Sequence, residues 1–503
     1  MFRFAIVTII VLFVISANQV AVVAQPSARW SPDAQAEGYL ENTFTPYLLA
    51  DQNHTVHAFA SQLVSEDDEQ FAIVYAQWRL ESSWSKPIDV LLGPDGGDAQ
   101  PYGAFLDASG VIHLAFWGGE ALDASVYYSQ APAANAGRAR AWSSPTLVGE
   151  DAHVISSGSF AGDDKGNLII VYNGNGSGNG IYAVQSSDAG ASWSESIPVF
   201  LTYDEDLTPF SLRTYLDQEG QLHAVWNVVT DKGVDEALYY ARLDIAQQQW
   251  SIPLLLDERI DRPDFFGPSF PAIAGYGSIV VVMYNSGNPF GGPVAAGRPV
   301  QMVRLSDDGG LTWEDPISPF PRHLGRSGEH ALVVDSNQVI HAVFMQRIET
   351  TVDGKPSVID GPWHSELRGR QWSEPVRFPT TWSPHDMRAV VSQGNVLLAV
   401  WREDPGAGQH GVWYSYAIVN APELPVIPIP TIAATPTSVR EPTATPAQLA
   451  VTPSPTQLVR MQGDVTPTTQ RNPAGPLIFA AAPVFLLCAL LILVRQWSRY
   501  RNR

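Results

Sequence analysis

A tryptophan that recurs at nearly constant spacing constrains the fold of this chain more than any other feature. Six Trp-Ser pairs and one Trp-Glu pair form a regular series, in which neighbouring members lie 51 to 63 residues apart. Their tryptophans are Trp30, Trp84, Trp142, Trp193, Trp250, Trp313 and Trp372. A repeat of this length is typical of a supersecondary unit that buries its apolar face against its neighbours.

Each interval between the tryptophans carries a second pattern, a polar turn followed by an apolar strand. Examples are "LDASGVIHLAF", "LDQEGQLHAVW" and "VDSNQVIHAVF". A further strand rich in Tyr precedes most of the tryptophans, as in "SVYYSQ" and "ALYYARL". Four short strands per unit and seven units predict an all-β chain folded as a seven-bladed β-propeller.

The two ends of the repeat region predict how the ring closes. The seventh unit, 387–420, lacks a final Trp-Ser strand, whereas "RWSPDA" at 29–34 has no strands before it. We expect the N-terminal segment to supply the missing outer strand of the last blade. The single cysteine, Cys488, excludes an intramolecular disulfide, so the closure must rest on packing.

Two of the tryptophans end an identical pattern of Ser, Asp, Gly and Trp, "SSDAGASW" and "SDDGGLTW". These stretches resemble the Asp box, or bacterial neuraminidase repeat, of sialidases and other propellers. The resemblance implies a structural turn between the third and fourth strands of a blade. The residues that match the box are Ser186, Asp188, Gly190, Trp193, Ser306, Asp308, Gly310 and Trp313. An Asp that bonds nearby amides and a Trp that buries a large area both suit that role.

The resemblance also implies a catalytic pattern, which this chain matches incompletely. Sialidases hold the sugar carboxylate with three arginines and use an acidic Asp and a Tyr activated by Glu. The first arginine opens the first blade, but this chain has "NTFTPYLL" there and no Arg between Arg29 and Arg79. Arginines for the later positions are available at Arg213, Arg262, Arg322, Arg326, Arg388 and Arg402. Two functions stay open: a propeller that binds glycan or protein, which the missing arginine favours, and a membrane-anchored glycoside hydrolase of sialidase type.

Loops between the blades predict a ligand site near the axis, on the face opposite the Asp boxes. Arg262, Arg326 and Arg388 begin successive units, and Trp382 lies close by to stack on a sugar ring. We predict that the three arginines share one anion. The alternative is that each pairs with a neighbouring acid, namely Asp261, Glu329 or Asp386.

Charge and histidine placement exclude other classes of ligand. Residues 25–420 carry a net charge of −26, which disfavours nucleic acid. His57, His113, His223 and His341 share one frame in four different units, so we expect hydrogen-bonding roles and no metal site. We also expect no cofactor.

The remaining segments predict a single-pass membrane protein with an extracellular, monomeric propeller. An apolar run that ends in small residues at 1–24 is typical of a signal peptide. The Pro- and Thr-rich stretch 421–475 predicts a disordered stalk, and the 19 uncharged residues of 476–494 predict a transmembrane helix. Four arginines in 495–503 place the C-terminus in the cytoplasm.

Overall fold

The described strands form seven antiparallel sheets, one for each predicted unit. The computed structural model describes residues 28–430 except for 66–69, 95–96, 121–122, 155, 260–265, 288–298, 322, 324, 326, 353, 380–383 and 404–410. Within that part of the chain the all-β seven-bladed propeller predicted from the repeat is confirmed.

Blades one to four follow one another along the chain. Blade one contains β3 (Tyr47–Ala50), β4 (Val56–Ser65), β5 (Gln70–Arg79), β6 (Ser83–Trp84) and β7 (Ile88–Leu91). Blade two contains β8 (Asp98–Leu106), β9 (Val111–Glu120), β10 (Asp123–Pro132) and β11 (Thr146–Gly149), with short 3-10 helices at Ala133–Asn135 and Ala139–Ala141. Blade three contains β12 (Gly158–Gly162), β13 (Leu168–Gly174), β14 (Gly180–Ser186) and β15 (Ile197–Leu201). Blade four contains β16 (Leu207–Leu216), β17 (Gln221–Thr230), β18 (Asp235–Asp244), β19 (Gln249–Trp250) and β20 (Leu254–Glu258).

Blades five to seven complete the ring. Blade five contains β21 (Ser269–Tyr276), β22 (Ile279–Gly287) and β23 (Pro299–Ser306). Blade six contains β24 (Ser327–Val334), β25 (Ile340–Val352), β26 (Lys355–Arg368), β27 (Gln371–Trp372) and β28 (Val376–Arg377). Blade seven contains β29 (Pro384–Ser392), β30 (Val396–Glu403) and β31 (Val412–Ile418), joined by the N-terminal strands β1 (Arg29–Trp30) and β2 (Ala34–Gln35).

Taken together over the described residues, the second strands of the blades contribute more buried apolar residues than the strands at any other position, because both of their faces are covered. In β13 all seven residues are buried, which explains why "LIIVYNG" is a nearly continuous apolar run. The apolar clusters lie between blades: one of them joins Phe59 and Ile73 of blade one to Ile112 and Phe116 of blade two. Burial between neighbouring blades therefore holds the ring together.

The tryptophans of the two stretches that resemble the Asp box, Trp193 and Trp313, pack between blades. Asp188 Oδ1 accepts hydrogen bonds from the Ser186 hydroxyl and the Ser192 amide, both at 2.8 Å, and these bonds close the turn after β14. The Trp193 ring then lies 5.1 Å from that of Tyr128 on the third strand of the preceding blade. The second stretch repeats this geometry, with Asp308 on the Thr312 amide and Trp313 4.9 Å from Tyr240.

The N-terminal strand closes the last blade, as the sequence predicts. Trp30 in β1 pairs with Ala417 in β31, and the Ser31 amide donates to the Tyr416 carbonyl at 2.8 Å. The Trp30 ring stacks on Phe378 at a centroid distance of 3.6 Å. Blade seven is thus built from both ends of the propeller sequence.

A segment after the last strand, residues 421–430, runs across the turns between the first and second strands of several blades. The Pro422 carbonyl accepts from Ser336 of blade six at 2.6 Å, and the Leu424 amide donates to the Gln393 carbonyl of blade seven at 2.8 Å. The Ile427 amide donates to the Gln52 carbonyl of blade one, and Ile429 packs on the core between blades one and two. We call residues 421–430 the C-terminal strap. The first ten residues of the predicted stalk therefore contact the propeller.

The predicted signal peptide, the rest of the stalk, the transmembrane helix and the basic tail lie outside the described residues. Among the residues that are described, no helix has the length and apolar character needed to cross a membrane. Those segments stay sequence predictions.

Candidate functional site

An axial pocket opens on the face of the propeller opposite the turns after the third strands, such as those at Asp188 and Asp308. Successive antiparallel strands alternate in direction, so turns after the first and third strands of a blade share one face, and the other connections share the opposite face. The pocket has a volume of about 290 Å³ and lies where the innermost strands begin. Its lining comes from six blades and includes Phe44, Tyr47, Gln100, Tyr102, Ser159, Phe210, Ser211, Arg213, Glu329, Asp386 and Arg388. The site thus lies on the predicted face.

Backbone irregularities in the innermost strands aim these side chains at the axis. Strands β8, β16, β21, β24 and β29 each show a register shift against the second strand of their blade. In two of them the bulge holds a lining residue at positive φ: Ser211 at 49° and Asp386 at 52°. Non-glycine residues rarely adopt this conformation, and both bulges and such strain concentrate at functional sites.

A network of arginines and carboxylates forms one wall of the pocket. Arg213 Nη2 lies 3.2 Å from Glu329 Oε2, and Arg388 bonds the same carboxylate. Arg402 Nε lies 2.6 Å from Asp386 Oδ2. Burial, followed by repulsion from Arg388, lowers the pKa of Arg213 to about 10, which leaves it a cation at neutral pH. Two guanidinium groups therefore converge on one glutamate, and each offers more donors than that glutamate uses.

Aromatic side chains line the pocket beside the charges. The Arg402 guanidinium carbon lies 4.9 Å from the centre of the Phe44 ring, a cation–π contact. Phe44 is 38 % exposed, so part of its ring faces solvent. Tyr47 is deeper, and burial raises the pKa of its hydroxyl, so it remains a neutral phenol. This combination offers an apolar face next to hydrogen-bond donors.

A histidine behind the network is kept neutral. His330 Nδ1 donates to the Phe270 carbonyl at 2.8 Å, and burial lowers the pKa of His330 to about 4. An uncharged ring adjacent in sequence to Glu329 adds no third positive charge to the wall. The positive charge facing the pocket therefore comes from the arginines.

The structure places some of the predicted site residues and leaves others untested. Asp386 and Arg388 line the axial pocket. Arg388 bonds Glu329, which was the predicted neighbour of Arg326 and not of Arg388. Asp386, the acid beside Arg388 in the sequence, lies 2.6 Å from Arg402. The four others lie outside the described residues, so the three-arginine site stays a prediction: they are Asp261, Arg262, Arg326 and Trp382.

Several lining residues were missed by sequence reasoning. Phe44 and Tyr47 lie in "NTFTPYLL", the stretch noted only for lacking an arginine, and they fill the wall with aromatic surface instead. Tyr102 and Phe210 lie at bulges, which no simple alternation of apolar and polar residues reveals.

The repeated histidines form hydrogen-bonded chains inside three blades. His57 Nε2 lies 3.0 Å from Asp51, and its Nδ1 lies 2.6 Å from the Tyr75 hydroxyl. His113 and His223 each bond an Asp and a Tyr in the same way. These three chains match the structural role expected from the sequence. In blade six His341 bonds Asp335 at 3.2 Å and the ring of His364 at 3.0 Å, so another histidine takes the place of Tyr.

Comparison with known proteins yields distant structural similarity only. No protein-family model matches the chain, and no curated protein matches its sequence. Among solved structures, a protein of unknown function from Dyadobacter fermentans is 14 % identical, with 78 % of this chain and 100 % of that chain covered and a TM-score of 0.46.

Two carbohydrate-active propellers are similarly distant. An ulvan lyase of polysaccharide lyase family 25 is 12 % identical, with 79 % and 97 % of the two chains covered and a TM-score of 0.48. The sialidase of Trypanosoma rangeli is 8 % identical, with 78 % and 58 % covered and a TM-score of 0.44. Similarity at this level leaves the activity of the present chain undefined, and the function has to be argued from the pocket.

Proposed function

We propose that the protein is a carbohydrate-binding propeller and that the axial pocket receives the terminal unit of a glycan. The observation that carries the proposal is the pairing of two converging arginines with aromatic surface in one pocket at the axis. At about 290 Å³ the pocket is at the small end of the range for ligand sites, roughly 300–1,000 Å³. That size suits a chain end better than a long internal stretch.

The wall of charges suits a sugar that carries hydroxyls and an anionic group. Arg213 and Arg388 share Glu329, so each guanidinium keeps donors for a ligand. The bidentate fork of Arg matches a carboxylate or sulfate in geometry. The glutamate holds both arginines in place before the ligand arrives, which reduces the entropy lost on binding.

The aromatic lining suits the apolar face of a sugar ring. Phe44 presents part of its ring to solvent while Arg402 covers it from another side. An aromatic ring held in this way can stack on the C–H face of a pyranose, while Gln100 and Ser159 offer polar groups to its hydroxyls.

A second candidate function is glycoside hydrolysis of sialidase type. It is favoured by the presence of two carboxylates, Glu329 and Asp386, together with Tyr47 in the same pocket. Against it, arginines contact both carboxylates, an arrangement suited to pairing charge rather than to donating a proton. Binding without turnover is therefore our first proposal.

A glycan array probed with the chain ending at Pro430 tests binding, and a fluorogenic sialoside assay tests hydrolysis. We expect selective binding of glycans with an acidic terminal sugar, and a loss of affinity of at least tenfold in Arg388→Ala. Arg370→Ala is the matched control, because Arg370 is 56 % exposed on the turn between β26 and β27, on the opposite face. A folded protein that binds no glycan, or Arg388→Ala with unchanged affinity, would refute the proposal. Turnover that is lost in Glu329→Gln would favour the second candidate.

We also propose that the propeller is displayed on the outer face of a cell membrane by the apolar segment 476–494. The support is the length of that segment and the arginines that follow it. In addition, the strap, which precedes that segment in the sequence, lies on the face opposite the pocket. Protease treatment of intact cells should release the propeller while the tail stays protected. A protein that remains in the soluble fraction after cell breakage would contradict this placement.

A further inference from the structure

Blade six contains a buried cluster of three side chains that differs from its counterparts in the other blades. His341, His364 and Glu366 each offer one ligand atom, and these atoms all lie within 4.8 Å of one another. None of the three side chains is accessible to any useful extent, since their residues are 0 %, 0 % and 2 % exposed. The cluster is separate from the axial pocket.

Strand register brings the three side chains together. His341 in β25 pairs directly with Glu366 in β26, and His364 lies two residues before Glu366 on the same strand. Residues two apart on a strand point to the same face, and a direct cross-strand partner lies on that face as well. The cluster thus combines two residues that are two positions apart on β26 with one residue of the neighbouring strand β25.

The equivalent positions in blades one and two hold side chains that do not bind metals well. In blade one His57 pairs with Gln77, and Tyr75 lies two residues before Gln77; in blade two the set is His113, Gln130 and Tyr128. There the Tyr hydroxyl bonds both the His ring and the Gln amide. Blade six keeps the histidine and replaces the phenol and the amide with an imidazole and a carboxylate. Both substitutions are toward zinc ligands.

Groups around the cluster prepare it for a cation. Asp335 Oδ2 lies 3.2 Å from His341 Nε2 and fixes that ring with Nδ1 toward His364. A carboxylate on the outer nitrogen of a ligating histidine is the usual support of a protein zinc site. Arg368 also bonds the Glu366 carboxylate at 2.8 Å, so a bound cation would share that carboxylate with a half-exposed guanidinium.

We propose that His341, His364 and Glu366 form a structural site for a divalent transition-metal ion, most suitably zinc. Two imidazole nitrogens and a carboxylate are a known zinc ligand set, with bonds of about 2.0–2.2 Å. The ion would be taken up while the blade folds, because the site is enclosed. The ring of Trp30 lies 5.4 Å from His364, so the metal would also support the strand that closes the propeller.

Metal analysis of the full chain, purified without chelators and again after refolding in the presence of zinc chloride, tests the proposal. We expect one zinc per chain and a melting temperature that falls by several degrees when a strong chelator is present during refolding. Cobalt in place of zinc should give the intense visible bands of a tetrahedral centre. Absence of stoichiometric zinc under both conditions, together with absence of those bands, would overturn the proposal.

Two variants that restore the residues of the sister blades serve as matched controls. His364→Tyr recreates the His–Tyr pair of blades one and two, and Glu366→Gln recreates their amide. We expect both to fold and His364→Tyr to lose the bound zinc and the effect of chelator. Unchanged zinc content in folded His364→Tyr would refute the assignment. If that variant does not fold, Glu366→Gln provides the same comparison, with a loss of zinc affinity of at least tenfold expected.

Discussion

The closure of the ring by the N-terminal strand can be tested with Trp30→Ala. The Trp30 ring is half-buried, stacks on Phe378 at 3.6 Å and contacts His364 edge-on. Truncation of a fully buried Trp costs about 3–5 kcal/mol, so the half-buried ring should contribute about 2–3 kcal/mol to the free energy of unfolding. Arg29→Ala is the control, because Arg29 lies exposed on the same strand and its loss should change that free energy by less than about 0.5 kcal/mol.

Deletion of residues 28–38 is the stronger form of the same perturbation. It removes the ring and also the hydrogen bonds that Ser31 makes to both backbone groups of Tyr416 and that Ala36 makes to Val412. At about 1 kcal/mol for each hydrogen bond, the total loss is about 5 kcal/mol, a large part of the stability of an ordinary domain. Equilibrium unfolding in urea measures both variants. A deleted chain that unfolds at the same urea concentration as the intact one would refute closure by this strand.

Three further predictions concern glycine, the strap and pH. Gly310→Ala should lower the melting temperature far more than Gly309→Ala. Both glycines have positive φ, but a Cβ at Gly310 would lie 1.9 Å from the Tyr240 hydroxyl, whereas Gly309 faces open space. Equal falls in melting temperature would contradict the inter-blade packing. A chain ending at Asn420 should melt below one ending at Pro430, since only the longer chain keeps the strap's hydrogen bonds to blades six, seven and one; identical melting temperatures would show that the strap contributes nothing. Burial raises the pKa of Asp235 to about 7, so between about pH 4 and 7 the folded state binds a proton that the unfolded state has lost. The free energy of unfolding should therefore fall as the pH rises through that range. Asp235→Asn should reduce this dependence of stability on pH, and an unchanged dependence would show that the carboxyl is solvated.

The architecture of this protein was predictable because each repeat contains residues whose structural role depends on the sequence close to them. An Asp that closes a turn, an apolar second strand and a Trp that packs on the preceding blade recur at nearly constant spacing, so seven copies predict seven blades. The same reasoning predicted that Trp30 completes the last blade, since one strand was missing at one end and one was surplus at the other. The turn, the apolar strand and the order of the strands can each be recognised within a short stretch of sequence.

The pocket was less predictable because it depends on departures from the repeat. Ser211 and Asp386 face the axis through bulges with positive φ, and nothing in their local sequence announces a bulge. Arg213 and Glu329 come from blades four and six, 116 residues apart, and meet only because the ring brings their innermost strands together. The sequence identifies such charged residues as candidates but does not show which of them lie next to one another in the folded ring.

The histidines show where an argument based on their distribution over different blades is incomplete. The sequence indicated that one histidine per blade cannot assemble a metal site, and for His57 and its equivalents in blades two and four the Asp and Tyr partners agree. Only the four histidines at equivalent positions of the second strands entered that argument. His364 and Glu366 lie on the next strand of the same blade, at positions that hold Tyr and Gln in blades one and two, so comparison with those two blades is what isolates them. In a repeat protein, residues that depart from related copies at a buried position are informative about new chemistry.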